Sequence, residues 1–121
     1  MWIITEPETM VRTDPLGPIH PGEFLREDWL IPLGMSAGAL ARKIGVPRAR
    51  IERIVREKNP ITSDTALRLA RFFKTKPEYW LKMQTRFDLE TAQNSLGDVL
   101  TRIEPLHRPD LDDPELDAVA A

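Results

Sequence analysis

Two helical stripes separated by only Gly45 and Val46 constrain this chain more than any other feature. Leu40, Ala41 and Ile44 share one helix face, and Ile51, Ile54 and Val55 share one face of the next. Ser36 is suited to cap the first helix, because its hydroxyl can accept from an unpaired N–H of the first turn. Gly45 can take the left-handed conformation that closes it. Pro47 fixes the backbone where the second helix starts. Helices so closely joined must cross steeply, and the small Ala41 lets them approach. Leu40, Ala41, Ile44, Val46, Ile51 and Ile54 lock the angle. The spacing therefore predicts a helix-turn-helix over about Ser36 to Lys58, a geometry that can place its second helix in the DNA major groove.

Prolines and polar caps divide the rest of the chain. Residues 1–20 carry Pro7, Pro15 and Pro18 and read as an extended N-terminal arm, with a short strand at 2–5. Pro21 suits the first turn of a helix holding Phe24, Leu25 and Trp29, which Pro32 and Gly34 should end. Asn59 and Pro60 stop the second helix of the central pair. Thr62 to Asp64 offer caps for a fourth helix with Ala66, Leu67, Leu69, Ala70 and Phe73 inside it. Pro77 opens a fifth along Trp80, Leu81, Gln84 and Phe87. A weak sixth is expected over Gln93 to Ile103, and the acidic, proline-punctured end from His107 should be disordered. The expected fold class is all-α, with five helices in a domain at 21–92 between an arm at 1–20 and a C-terminal helix and acidic tail at 93–121.

Composition matters mainly through where the charges fall. The net charge is -2. Residues 36–88 nevertheless hold 13 Lys and Arg against five Asp and Glu, a local balance of +8. The segments before and after it carry -4 and -6. A basic middle between acidic ends fits a nucleic-acid footprint, although a solvated helical surface would look similar. There is no cysteine, which excludes disulfides and thiolate metal sites. No apolar run could span a membrane, and no secretory signal is visible at the N-terminus.

The residues expected to face DNA from the second helix are Arg48, Ala49, Arg50, Glu52 and Arg53, with Pro47 at its entry. A guanidinium fork can bond guanine O6 and N7 together or grip a phosphate. Ser36, Arg42, Lys43, Lys58 and the N-termini of the second and fourth helices are better placed for phosphate oxygens. The competing reading is an ordinary corner between two helices with a basic surface. No residue cluster supports an enzyme. His20 and His107 have no ligand partner at useful spacing, so no metal or other cofactor is expected, and no small-molecule substrate either. His20 before Pro21 instead suits ordering of the first helix.

The run from Ile19 to Leu89 resembles the HigA/VapI-type antitoxins of the phage-repressor-like (XRE) helix-turn-helix superfamily. The motifs that carry the resemblance are HPGE at His20 to Glu23, the Leu40 to Val46 centre, ITSDTALRLARFF at Ile61 to Phe73, and PEYWL at Pro77 to Leu81. The resemblance implies a five-helix repressor fold, operator binding, and partnership with a HigB/RelE-like ribonuclease toxin that the antitoxin neutralises while repressing its own operon. A homodimer would set two reading helices about 34 Å apart and so expect an inverted-repeat operator. The location implied is cytoplasmic and nucleoid-associated. Two departures stand out: Ala37 replaces the glutamine frequent early in the first helix of the pair, and Pro47 replaces the usual Ser or Thr. A stand-alone regulator, or a protein-interaction module that scarcely touches DNA, are the alternatives.

Overall fold

The computed structural model of the chain describes residues 2–6, 9–12 and 17–110, so most of the acidic tail lies outside the described residues. Strand β1 (Trp2–Glu6) pairs antiparallel with β2 (Thr9–Arg12), placing Trp2 opposite Arg12 and Ile3 opposite Val11. The strand expected at 2–5 is present, and the arm supplies its partner.

The first helical rod is built from three segments in series. They are α1 (Pro21–Phe24), a π-helical turn (Leu25–Leu30) and α2 (Ile31–Leu33). His20 caps the rod: its Nδ1 accepts from the Gly22 N–H at 2.9 Å, while Pro21 occupies the first turn, where a missing N–H costs nothing. In the π turn the Ile31 N–H reaches back to the Arg26 carbonyl. Pro32 was expected to stop this helix and does not. A proline within a helix lacks an N–H and crowds the carbonyl four residues earlier. The widened turn just before it is a place where the rod can absorb that misfit. Gly34 alone ends the rod, at φ 61°.

The central pair follows as α3 (Ala37–Ile44) and α4 (Arg48–Val55). Ser36 Oγ accepts from the Ala39 N–H at 3.0 Å, and Gly45 closes α3 at φ 71°. Helix α4 is shorter than the expected span to Lys58. Glu57 adopts φ 61°, and the Lys58 N–H turns back to the Arg53 carbonyl at 2.8 Å. Helix α5 (Ser63–Phe73) is capped by Thr62 and closed by Lys74 at φ 60°. Helix α6 runs unbroken from Pro77 to Leu96 and passes into a 3-10 turn at Gly97–Arg102. The separate sixth helix expected at Gln93 to Ile103 is thus the end of α6 plus that turn.

Leu25, Leu40, Ile51, Ile54, Ile61, Leu69 and Trp80 are fully buried where these helices meet. Each such side chain contributes roughly 1.5–3 kcal/mol by leaving water. The polar atoms of Trp80 and Gln84 find partners inside, whereas the buried Trp29 Nε1 has none among the described residues. Trp80 Nε1 donates to Thr75 Oγ1 at 2.9 Å. Buried Gln84 accepts from the Ile61 N–H at 2.7 Å and donates to Asp88, which pins the α4–α5 loop onto α6. Beyond Gln84 nothing on α6 is buried, and Leu89 and Leu96 face solvent.

Candidate nucleic-acid interface

The crossing of α3 and α4 is fixed by core packing. Leu40, Ala41 and Ile44 pack against Ile51 and Ile54 in the core. Gly38 leaves space for the next helix: a Cβ there would stand 3.4 Å from Arg48 Cδ, so the arginine stem lies across the first turn of α3. Gly22 allows a much closer approach, of α1 to the far end of α4. A Cβ on it would fall 1.8 Å from the Ile54 carbonyl oxygen, which only glycine permits.

Two arginines from outside the pair cap its helices. Arg68, on α5, donates through Nη1 to the carbonyls of Ile44 (2.8 Å) and Gly45 (3.2 Å) at the end of α3. Arg26, on the π turn, donates to the Val55 carbonyl at the end of α4. Each places a cation where the helix dipole is negative and satisfies a carbonyl the helix leaves unpaired.

The side chains expected to reach DNA divide into three groups. Arg42, Lys43, Arg53 and Lys58 are exposed, and among the described residues their side chains have no carboxylate partner. Arg48 is 75% exposed but pairs with Glu52 one turn along α4. Arg50 is 38% exposed, and its Nη1 donates to Asp64 Oδ1 at 2.7 Å. The same oxygen accepts from Arg68 Nε at 2.8 Å. These two guanidinium groups, Arg68 first, hold the Asp64 carboxyl below its usual carboxylate range. Ser36 uses its oxygen as a cap and keeps its hydroxyl proton free to donate. Pro47 and Ala49 are exposed at the start of α4, and Pro47 provides no side-chain cap there.

Open arginines were expected at 48, 50 and 53, and only Arg53 has no carboxylate against it. The other two pairs are exposed, and exposed pairs are worth at most about 1 kcal/mol. A bidentate guanine contact is worth about 1–3 kcal/mol, so it can displace them. Asp64 and Arg68 were missed as part of this surface. Their spacing of four on one helix was a legible signal, but nothing in sequence linked them to Arg50 or to the end of α3. Gly38 and Gly22 were also missed as contact points. A glycine early in a helix is the available hint, and its reason is a neighbour that sequence does not reveal. Among the described residues no group of acidic and histidine side chains could hold a metal ion.

A helix-turn-helix family model, HTH_3, matches residues 27–80. Virulence-associated protein I of Dichelobacter nodosus is 55% identical over 75 residues, covering 62% of this chain and 69% of that protein. Antitoxin HigA-1 of Vibrio cholerae is 30% identical over 89 residues, covering 74% of this chain and 84% of the relative. Among solved structures, the fold is similar to Pseudomonas aeruginosa antitoxin HigA with the higBA promoter, at a TM-score of 0.72 and 41% identity, covering 74% of this chain and 99% of that one. The antitoxin GraA in complex with its operator gives the same TM-score and identity, covering 81% of this chain and 100% of the other.

Proposed function

Because the chain belongs to the HTH_3 helix-turn-helix family, we propose that it is a sequence-specific transcriptional repressor and the antitoxin of a type II toxin–antitoxin pair. The observation that carries this reading is the outer face of α4. It presents Arg53 and Arg48 to solvent, together with Arg42 and Lys43 of α3, which have no carboxylate partner among the described residues, on helices whose crossing is locked by core contacts. The solved relatives with promoter or operator DNA support the same use of the fold. In this reading Arg48 and Arg53 reach base edges, and Ser36, Arg42, Lys43 and Lys58 grip phosphates.

The protein acts as a homodimer on an inverted-repeat operator. The exposed apolar residues at the end of α6 and after it, Leu89, Leu96, Val99, Leu100 and Ile103, support pairing with a second copy there. The toxin partner is a HigB/RelE-like ribonuclease, and the acidic segments flanking the basic middle would attract a basic enzyme. The place of action is the cytoplasm, at the nucleoid. Among the described residues no helix is long and apolar enough to cross a membrane.

The test is a gel-shift series on the DNA upstream of its own gene. Arg48→Ala and Arg53→Ala together should weaken that site by about 1–3 kcal/mol for each guanine that no longer meets an arginine. Lys43→Ala or Lys58→Ala should weaken all duplexes alike and flatten the salt dependence. Unchanged binding by the double arginine variant rejects α4 as the reading helix. Co-purification with the product of the neighbouring gene tests the antitoxin role, and a stand-alone regulator would bring down no ribonuclease.

A further inference from the structure

Asp64 is an anion set among the cations of the proposed DNA-binding face, and its position there needs an explanation. One of its oxygens accepts from Arg50 on α4 and from Arg68 on its own helix. Arg68 is held independently by the Ile44 and Gly45 carbonyls. Arg50 has no second anchor among the described residues. Of the two arginines, Arg50 is therefore the one whose freedom depends on Asp64.

We infer that Asp64 is an affinity-limiting residue of the DNA-binding face: it restrains Arg50 at the α4–α5 junction, so that only a site offering a better partner than a carboxylate recruits that arginine. The inference rests on the DNA-binding reading above. A carboxylate and a backbone phosphate oxygen are similar acceptors for a guanidinium, so a random duplex offers Arg50 little beyond what it already has. A guanine edge accepts two hydrogen bonds in one plane and favours its partner by about tenfold or more. Any site that recruits Arg50 must therefore first repay the loss of its pair with Asp64.

The test uses the full chain and two duplexes of equal length, one from upstream of its own gene and one a shuffled version. Fluorescence anisotropy is read at several salt concentrations. Asp64→Asn removes the charge while keeping the shape. It should tighten binding to the shuffled duplex by about five- to tenfold and steepen its salt slope by roughly one, the signature of one added phosphate contact. Binding to the upstream duplex should tighten as well, by up to about fivefold, because Arg50 no longer has to leave an exposed carboxylate to reach it. Adding Arg50→Ala to Asp64→Asn should return the shuffled duplex to wild-type affinity and slope. Arg68→Ala serves as the structural control, because loss of the α3 cap should weaken both duplexes together.

If Asp64→Asn leaves a selective protein unchanged, or weakens both duplexes alike, Asp64 is only a prop for α4 and the inference fails alone. If the tightening survives Arg50→Ala, simple repulsion explains it and the restraint on Arg50 is disproved. If the wild-type protein does not distinguish the two duplexes, the DNA-binding reading falls and this inference falls with it.

Discussion

The ends of α3 and α4 meet the same requirement by different means. Both helices leave backbone carbonyls unpaired, and both are closed by a left-handed residue and a distant arginine. At α3 the left-handed residue is Gly45, and Arg68 supplies two hydrogen bonds from α5. At α4 the left-handed position falls to Glu57, and Arg26 reaches over from the first helical rod to Val55. Glu57 also lies 3.6 Å from Arg26, so the residue that bears an unfavourable backbone conformation gains a charged partner there. The end of α3 is written in its local sequence. The end of α4 is imposed by packing against the rod that begins at His20.

The strongest way to break the α4 end is to fill the space beside it. Gly22→Ala would drive a methyl group into the Ile54 carbonyl, since a Cβ there stands 1.8 Å from that oxygen. The neighbour is backbone and cannot swing aside. A loss of about 3 kcal/mol or more is expected in urea unfolding. A loss below about 1 kcal/mol would show that α1 and α4 can separate cheaply.

Removing the two capping arginines compares the ends directly. Arg68→Met should cost about 1–2 kcal/mol, because it strips α3 of its hydrogen bonds at Ile44 and Gly45. Arg26→Met should cost about 1 kcal/mol, since a single carbonyl loses its donor at α4. The two arginines share no partner, so the double variant should show additive losses. A coupling well above about 0.5 kcal/mol would mean the two ends are not independent.

That contrast explains what could be read from sequence. The α3 cap at Ser36 and the stop at Gly45 are local and were legible from residue type and spacing; Thr62 was one of three cap candidates, and His20 was read only as ordering the first helix. The core stripes of α3, α4 and α5 followed from helical period, except that Leu67, grouped with the apolar residues of α5, is 60% exposed. The early end of α4, the passage through Pro32 and the length of α6 were not legible. Glu57 and Lys74 hold left-handed positions without being glycine, and only tertiary partners or the loss of onward packing put them there. The same limit applies to the proposed DNA-binding face. Arg50 reads as one more exposed cation until Asp64, 14 residues away, is found beside it.

Exchanging the left-handed residues sharpens the comparison at smaller cost. Gly45→Ala should lose about 1 kcal/mol, because a side chain at φ 71° is strained. Glu57→Gly relieves the same strain at φ 61° and should gain about 0.5 kcal/mol after the exposed pair with Arg26 is removed. Opposite signs in thermal melts are the expected outcome. A destabilising Glu57→Gly would mean that the carboxylate contributes more than its backbone conformation costs.

The smallest expected effect concerns pH, and it belongs to the α4 end alone. His20 is buried, accepts from the Gly22 N–H through Nδ1 and hydrogen-bonds the Asn59 backbone just beyond α4. Its ring packs edge-on against Phe87 at 5.0 Å. Burial lowers its pKa from the ordinary 6.5, outweighing the nearby charges of Glu57 and Asp88, which raise it. The unfolded chain therefore takes up this proton at a higher pH than the folded one. Between the two pKa values the unfolded state binds more protons, so stability increases with pH. The contribution is complete above about pH 6.5 and is lost as pH falls below it. Protonation also removes the Nδ1 lone pair that caps α1, so acid should loosen the first rod from α4 before it disturbs α3. Hydrogen exchange at pH 5.5 against pH 7.5 should show faster opening near Gly22 and Asn59 than near Gly45. His20→Asn keeps a capping oxygen but cannot titrate, and should flatten that dependence. If the wild type and His20→Asn open alike at both pH values, His20 does not couple protonation to this end of the domain.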